Sequence, residues 1–294
     1  MSQPWQDPQS QNGRPPFQAP LVMGVLNTTP DSFSDGGQFT DLGAAIAQAK
    51  LMLDQGAQII DVGGESTRPG ADRISIDAEI GRVVPVIEAI ATTQWFKDSG
   101  ARISVDTMNS ATAAAAVASG ASIVNDVSGG LADKEMHRVV AQTSATYVLS
   151  HWRGFSDHMD TLNQYENVAA DVVAELSEQV AIAVASGISR DRIVVDPGLG
   201  FAKDIKQNWE LVARLDQLEK LGLPILVGAS RKRFLAGVLD SLDPASVDNG
   251  RRDLATAVLT ALLLQRKLWG LRVHNVQSTV DAIKLVQALR VAGQ

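Results

Sequence analysis

The chain has no cysteine. Disulfides and thiolate zinc sites are thereby excluded, and the absence fits a reducing compartment. Aromatic residues are scarce, 5% of the 294, against 45% hydrophobic residues overall. The core must be built mainly from Ala, Val, Ile and Leu, which suits helices packed on parallel strands. Basic residues are outnumbered, 26 Lys and Arg to 33 Asp and Glu, for a net charge of −7. That balance argues against a general nucleic-acid or anionic-membrane surface, so any anion site has to be assembled locally from a few cations. No apolar run approaches the ~20 residues of a membrane-spanning helix. Residues 1–20 (MSQPWQDPQSQNGRPPFQAP) lack the basic start and apolar stretch of a secretory signal. They read as a flexible or loosely docked tail, the alternative being an ordered edge segment pinned by Trp5 and Phe17. The expectation is a cytoplasmic protein with no nucleic-acid and no membrane partner.

What is present, from residue 21 onward, is alternation. Short β-branched apolar runs occur at Leu21–Leu26, Ile59–Val62, Ile103–Val105, Ser122–Val124, Thr146–Leu149, Ile193–Val195, Ile225–Val227 and Leu271–Val273. Unbroken apolar runs mark strands buried on both faces. Helical stretches are expected between them, at Leu42–Gln55, Asp77–Thr92, Ser110–Ser119, Asp133–Gln142, Glu166–Ser186, Lys206–Lys220, Arg251–Lys267 and Val276–Leu289. Gly56, Gly120 and Gly187 follow three of these, where a left-handed residue closes a helix. The repeated unit is helix, glycine stop, strand, polar tip. Over about 270 residues, eight such units fit a single (β/α)8 TIM barrel, residues 21–294, whose strand tips converge on one site. A doubly wound open sheet would need a Gly-rich dinucleotide turn after an early strand, and none is present. The breaks at His151–Gln164 and Asp240–Gly250 read as surface excursions, not as linkers.

The tips carry chemistry. The first is MGVLNTTPDSFSDGG and the second IIDVGGESTRPGA; ISVDT, IVND, DPGLGFAK, VGASRKRFLAG and RVHNV follow in order. Asp106, Asn125 and Asp196 emerge at the third, fourth and sixth tips: two carboxylates that accept and one amide that both donates and accepts. Asp106 or Asp196 could instead cap the helix or turn that follows it; Asp196 precedes Pro197-Gly198. Arg272 and His274 bracket Val273 at strand period, so both side chains can point to one side and grip an anion. Ser230-Arg231-Lys232 opens a helix after a buried strand, where backbone N–H groups attract anions.

These seven segments, spread over residues 21 to about 290, resemble the dihydropteroate synthase family of pterin-binding enzymes, particularly its actinobacterial members. The family serves bacterial folate synthesis and is the target of sulfonamides. The resemblance implies condensation of p-aminobenzoate with (7,8-dihydropterin-6-yl)methyl diphosphate, with pyrophosphate released. It assigns Asp106, Asn125, Asp196, Phe201, Gly228 and Lys232 to the pterin, and Asn27, Thr67, Arg272 and His274 to the diphosphate. Phe33, Thr67, Arg68, Pro69 and Ser230 match the p-aminobenzoate pocket, and Asp35 a loop acid near the developing cation. Asp35, Asp106, Lys232 and Arg68 are the matching catalytic positions. The resemblance further implies Mg²⁺ near Asn27, which keeps its waters and leans on phosphate oxygens, and a homodimer formed through helices near the C-terminal end. The apolar stretch Leu254–Leu264 fits such an interface and fits a core helix equally well.

Two tips depart from the family's commonest wording. Ser150-His151-Trp152 stands where many members have Met-His-Met, and His274-Asn275-Val276 where His-Asp-Val is usual. Ser150 is expected to widen or wet the pterin pocket, and Asn275 to loosen His274 or Arg272. A methyltransferase acting on methyltetrahydrofolate and a corrinoid would keep the Asp106, Asn125, Asp196 pocket but not need the anion grip. A non-catalytic paralogue that binds pterin or sulfonamide is the alternative outside enzymes.

Overall fold

Residues 18–28, 38–65, 73–155 and 159–293 are described, in a computed structural model of the chain. Eight strands run parallel: β1 (Leu21–Asn27), β2 (Ile59–Gly63), β3 (Arg102–Asp106), β4 (Ile123–Asp126), β5 (Thr146–Ser150), β6 (Ile193–Asp196), β7 (Leu226–Val227) and β8 (Gly270–Val273). Their order is β6-β5-β4-β3-β2-β1-β8-β7. A bridge between Val195 and Ile225, with the Val195 N–H donating to the Pro224 carbonyl at 2.9 Å, brings β7 against β6 and closes the ring. Around it lie α1 (Gln38–Asp54), α2 (Ile76–Thr92), α3 (Gln94–Ser99), α4 (Ser110–Ala118), α5 (Met136–Ala141), α6 (Val168–Ala185), α7 (Ile205–Ala213), α8 (Asp216–Glu219), α9 (Arg233–Leu239), α10 (Asn249–Leu263) and α11 (Val276–Ala292). The architecture is the expected (β/α)8 barrel. Residues 1–17 of the expected tail lie outside the described residues.

Apolar side chains sort into two cores. Met23, Ile59, Ile123, Val148, Val194 and Leu226 fill the inside of the barrel as one buried cluster. A larger core, including Val22, Ile60, Val105, Val124, Leu149, Val195 and Val227, packs outward against the helices. Burying each such side chain stabilises the fold by roughly 1.5–3 kcal/mol. Most strand residues are buried on both faces of the sheet, and this is why the strands read as mainly apolar runs.

Where the elements depart from expectation, the reason is local. Gly56, Gly120 and Gly187 close α1, α4 and α6 at φ of 104°, 119° and 101°, as their positions suggested. The expected helix Lys206–Lys220 is two helices, α7 and α8; the chain turns at Arg214, and Leu211, Leu215 and Leu218 all become buried. The helix expected from Asp133 begins at Met136. Asp133 stays outside it because its carboxylate accepts N–H bonds from Ser110, at the start of α4, and from Glu135. Several strands run one or two residues past the apolar run, so that Asn27, Asp106, Asn125 and Asp196 belong to the sheet itself.

Candidate active site at the barrel mouth

Side chains alternate along a strand, so residues two apart face the same way. Ile59, Ile123, Val194 and Leu226 form the floor inside the barrel. Two residues further along their strands stand Asp61, Asn125, Asp196 and, just past β7, Gly228. The sheet pairs Gly63 with Asp106 and Asp106 with Asn125, which fixes the tips of β2, β3 and β4 side by side. Arg272 of β8 reaches across this layer. Its Nε donates to Asp61 Oδ2 at 2.6 Å and its Nη2 to Asp106 Oδ2 at 2.6 Å. Asn125 Nδ2 donates to the same Asp61 oxygen at 3.2 Å. The other carboxylate oxygens of Asp61 and Asp106 are buried and have no partner among the described residues. Acceptor capacity is therefore left over on the floor of the mouth.

Burial sets the protonation balance here. It pushes the Asp106 carboxyl upward; Arg272 opposes this, and the like charge of Asp61 adds to it. Asp196 is also raised by burial, against the pull of Lys232 and of the Gly198 N–H. Lys232 is pushed down to about 8, chiefly by burial, with Asp196 holding its proton on. Burial works against the Arg272 charge as well, but Asp106 and Asp61 outweigh it. The Lys232 ammonium lies 4.5 Å from the Phe201 ring centroid and donates to the Leu199 carbonyl. At Gly228 an added Cβ would stand 3.5 Å from Asp196 Oδ2, so the glycine keeps that wall thin. Ser230 and His274 meet: the His274 N–H donates to Ser230 Oγ at 3.1 Å, and Nδ1 lies 2.9 Å from the same oxygen.

A mouth lined by buried acceptors, an amide, two cations and an aromatic ring suits a flat, polar heterocycle carrying an anion. Comparison with known proteins narrows it. A family model described as "Pterin binding enzyme" matches residues 23–274. Dihydropteroate synthase from Mycobacterium leprae (strain TN) is 46% identical over 273 residues, 92% of this chain and 94% of that one. The chain belongs to the dihydropteroate synthase family. Among solved structures, Xanthomonas albilineans dihydropteroate synthase with 4-aminobenzoic acid has a TM-score of 0.83 at 38% identity, covering 94% of each chain. The Yersinia pestis dihydropteroate synthase solved with a sulfonamide drug has a TM-score of 0.82 at 35% identity, covering 92% of this chain and 94% of that one.

The structure brings most of the dihydropteroate synthase positions together: Asp106, Asn125, Asp196, Phe201, Gly228, Ser230, Lys232, Arg272 and His274 at one end of the barrel, with Asn27 at the tip of β1. Phe33, Asp35, Thr67, Arg68 and Pro69 lie outside the described residues. The two departures from family wording lie in well-defined surroundings. Ser150 is buried at the end of β5, level with Asp196 in the sheet. Asn275 is a helix cap: its side chain accepts the Ser278 N–H at 3.0 Å and lies 3.5 Å from Asp253, which pairs with Arg231 through two bonds. These bonds run to α11 and α10. Asp61 is the residue the sequence reading missed. The alternation within IIDVGG, with Ile59 and Gly63 on its face, was the signal for it.

Among the described residues no helix is long and apolar enough to cross a membrane.

Proposed function

We propose that the chain is a dihydropteroate synthase, joining p-aminobenzoate to the methylene carbon of (7,8-dihydropterin-6-yl)methyl diphosphate. A C–N bond forms, the C–O bond to diphosphate breaks with its electron pair leaving on pyrophosphate, and the amine loses one proton. One observation carries this reading: in a chain of this family, Asp106, Asn125, Asp196 and Arg272 stand together at the barrel mouth, with one buried oxygen of Asp106 and one of Asp61 unspent.

In this reading Asp196, Asn125 and Asp106 hold the N–H-rich edge of the pterin, and Phe201 and Gly228 line its slot. Positive charge spreads into the ring as the diphosphate departs. The fixed Asp106 carboxylate therefore favours the transition state over the ground state. Arg272, His274, Asn27 and Thr67 are assigned to the diphosphate, and Phe33, Thr67, Arg68, Pro69 and Ser230 to p-aminobenzoate. Lys232 lies close to the pterin, and Asp35 to the cation that forms. An arylamine attacks such a cation without a strong general base.

The donor set also bears on Mg²⁺. Among the described residues no three His, Asp or Glu side chains converge to hold a metal. Asn27 offers a hard amide oxygen near Gly63, facing the mouth. That fits an ion held mainly by water and phosphate oxygens, and Asn27 is the residue that would hold it. Bound there with the diphosphate, Mg²⁺ would neutralise charge on the leaving group.

Sulfonamides, shaped like p-aminobenzoate, are the expected inhibitors, and the cytoplasm the expected compartment. The chain is also expected to be a homodimer. Leu254, Val258 and Leu262 on α10 and Leu285 and Leu289 on α11 are exposed, and the two helices are joined where Arg290 donates to the Leu264 carbonyl at 2.6 Å.

The test is pyrophosphate release from dihydropterin diphosphate and Mg²⁺, with and without p-aminobenzoate. Release coupled to dihydropteroate formation supports the synthase. Pterin binding without turnover, where a control synthase works, supports the binding paralogue instead.

A further inference from the structure

The DPGLGFAK segment contains a cation that the proposed reaction does not use. Lys203 is buried between β6 and α7, and its Nζ has three acceptors: His151 Nδ1 at 2.9 Å, the Gly198 carbonyl at 3.0 Å and the Phe201 carbonyl at 3.0 Å. The tautomer of His151 follows from its other side. Its Nε2 lies 3.0 Å from Glu175 Oε2. Burial works against the Glu175 charge, but bonds from His151 and Arg153 outweigh it and hold the carboxyl down to about 2. An ionised carboxylate requires a proton on Nε2, so Nδ1 is the bare acceptor. Three acceptors then require all three ammonium protons, the charged form of Lys203, although burial pushes it down to about 7.

The turn it grips is shaped by left-handed residues, Gly198 at φ 65°, Gly200 at 78° and Ala202 at 47°. A non-glycine residue there is costly and persists only where its surroundings hold it. His151 backs the turn so closely that a Cβ on Gly198 would stand 2.1 Å from the His151 carbonyl oxygen. On the pocket side Lys232 takes the Leu199 carbonyl and covers Phe201. The two lysines therefore both hold one turn, Lys232 through the Leu199 carbonyl and the Phe201 ring, Lys203 through the Gly198 and Phe201 carbonyls and His151.

We propose that Lys203 is a positioning residue for the pterin pocket: by tying the Gly198 and Phe201 carbonyls to His151, it sets where Phe201 and Lys232 stand. The proposal rests on the reading of that pocket as the pterin site. It acts through the turn, so its effect falls on the pterin and not on p-aminobenzoate.

Lys203→Met keeps the length of the stem and removes all three donors. The test is calorimetry with 6-hydroxymethylpterin diphosphate, together with KM for each substrate, on wild type and variant. The expected result is about ten-fold weaker pterin binding, on the order of one charge-assisted hydrogen bond, with KM for p-aminobenzoate changed by less than about two-fold. Equal pterin binding by both proteins overturns the proposal, as does an equal loss for both substrates. Failure of wild type itself to bind the pterin overturns the pocket reading instead. Should Lys203→Met not fold, Lys203→Gln, which retains an amide donor, is measured in the same way, and the same outcomes support or overturn the proposal. Independently, the ¹⁵N shifts of His151 in the wild-type protein must report a proton on Nε2; a proton on Nδ1 means that Lys203 does not donate there and removes the basis of the proposal.

Discussion

Asp61 is bound to Arg272 from underneath, Oδ2 to Nε at 2.6 Å, and the same oxygen also takes Asn125 Nδ2 at 3.2 Å. One fully buried carboxylate thus orients two residues assigned to two different parts of the substrate. Asp61→Asn keeps the shape and removes the charge. The groups acting on Asp106 are Arg272 from β8, Asp61 from β2, Glu79 from α2, Asp126 from β4 and, more weakly, Lys232. Of these, Asp61 pushes the Asp106 pKa up, so its loss lets the Asp106 pKa fall. Asp106 must be ionised to stabilise a cation, and in the wild type activity is lost as pH falls through its raised pKa. The acid limb of kcat/KM for the pterin substrate is expected to move to lower pH in Asp61→Asn, alongside a loss of about 1–3 kcal/mol in transition-state binding at neutral pH. A limb that stays in place or rises would show that the two carboxylates are not coupled.

Arg272 invites a change of expectation. From the sequence it belongs to the diphosphate alone, and its removal ought to spare free pterin. In the structure it bridges Asp61 and Asp106, and Arg272→Ala leaves two buried carboxylates without their counter-ion. Breaking such a pair typically costs about 3–5 kcal/mol. Burial and Asp61 would then raise Asp106 unopposed by Arg272. Arg272→Ala is expected to lower the urea midpoint and to weaken free 6-hydroxymethylpterin as well as its diphosphate. Calorimetry showing a loss confined to the diphosphate would restore the narrower role.

Strands, glycine stops and polar tips were legible because each follows from a local rule. Unbroken apolar runs such as Ile193–Val195 mean burial on both faces, and a polar residue such as Asp196 at the end of one means a tip. Asp61 was not legible in that way. It lies inside a run that is otherwise apolar, and its pairing with Arg272, 211 positions later, together with the Asn125 amide, makes a buried charge tolerable there. The network of Lys203, His151 and Glu175 escaped for the same reason: its members lie just past β5, on α6 and in the β6–α7 turn, and no spacing in the sequence joins them. Asn275 was read only beside His274, and its bond to the Ser278 N–H at the start of α11 needed the structure to be seen.

His151 ties stability to pH. Burial and the charge of Lys203 push its pKa down to about 4, against the pull of Glu175, with Arg153 also nearby. The folded state therefore prefers the neutral ring, and unfolding lets it take a proton at the ordinary value of about 6.5. Its contribution is present above pH 6.5 and is lost as pH falls toward 4. That amounts to at most roughly 3 kcal/mol over the window. Denaturant midpoints at pH 7.5 and 5 are expected to differ, and His151→Gln, which keeps an acceptor for Lys203, should shrink the difference. An unchanged difference would place the pH dependence elsewhere.

The exposed leucines bear on the oligomeric state. Leu254, Val258 and Leu262 recur every four residues on α10, while Thr256, Leu259, Thr260 and Leu263 of the same helix are buried. Leu285 and Leu289 on α11 extend that stripe at about three-quarters exposure each. A helix needs only one apolar face to pack on its own barrel, so a second one calls for a partner. A second copy of the chain supplies a matching face by two-fold symmetry. Light scattering of the wild type is expected to give twice the 31.3 kDa of one chain. The double substitution Leu254→Glu with Leu285→Glu places one charge among the exposed residues of each helix and is expected to give the single-chain mass with the barrel still folded. A wild type that runs as a monomer at micromolar concentration would remove the dimer, and a double variant that remains dimeric would place the interface on another face.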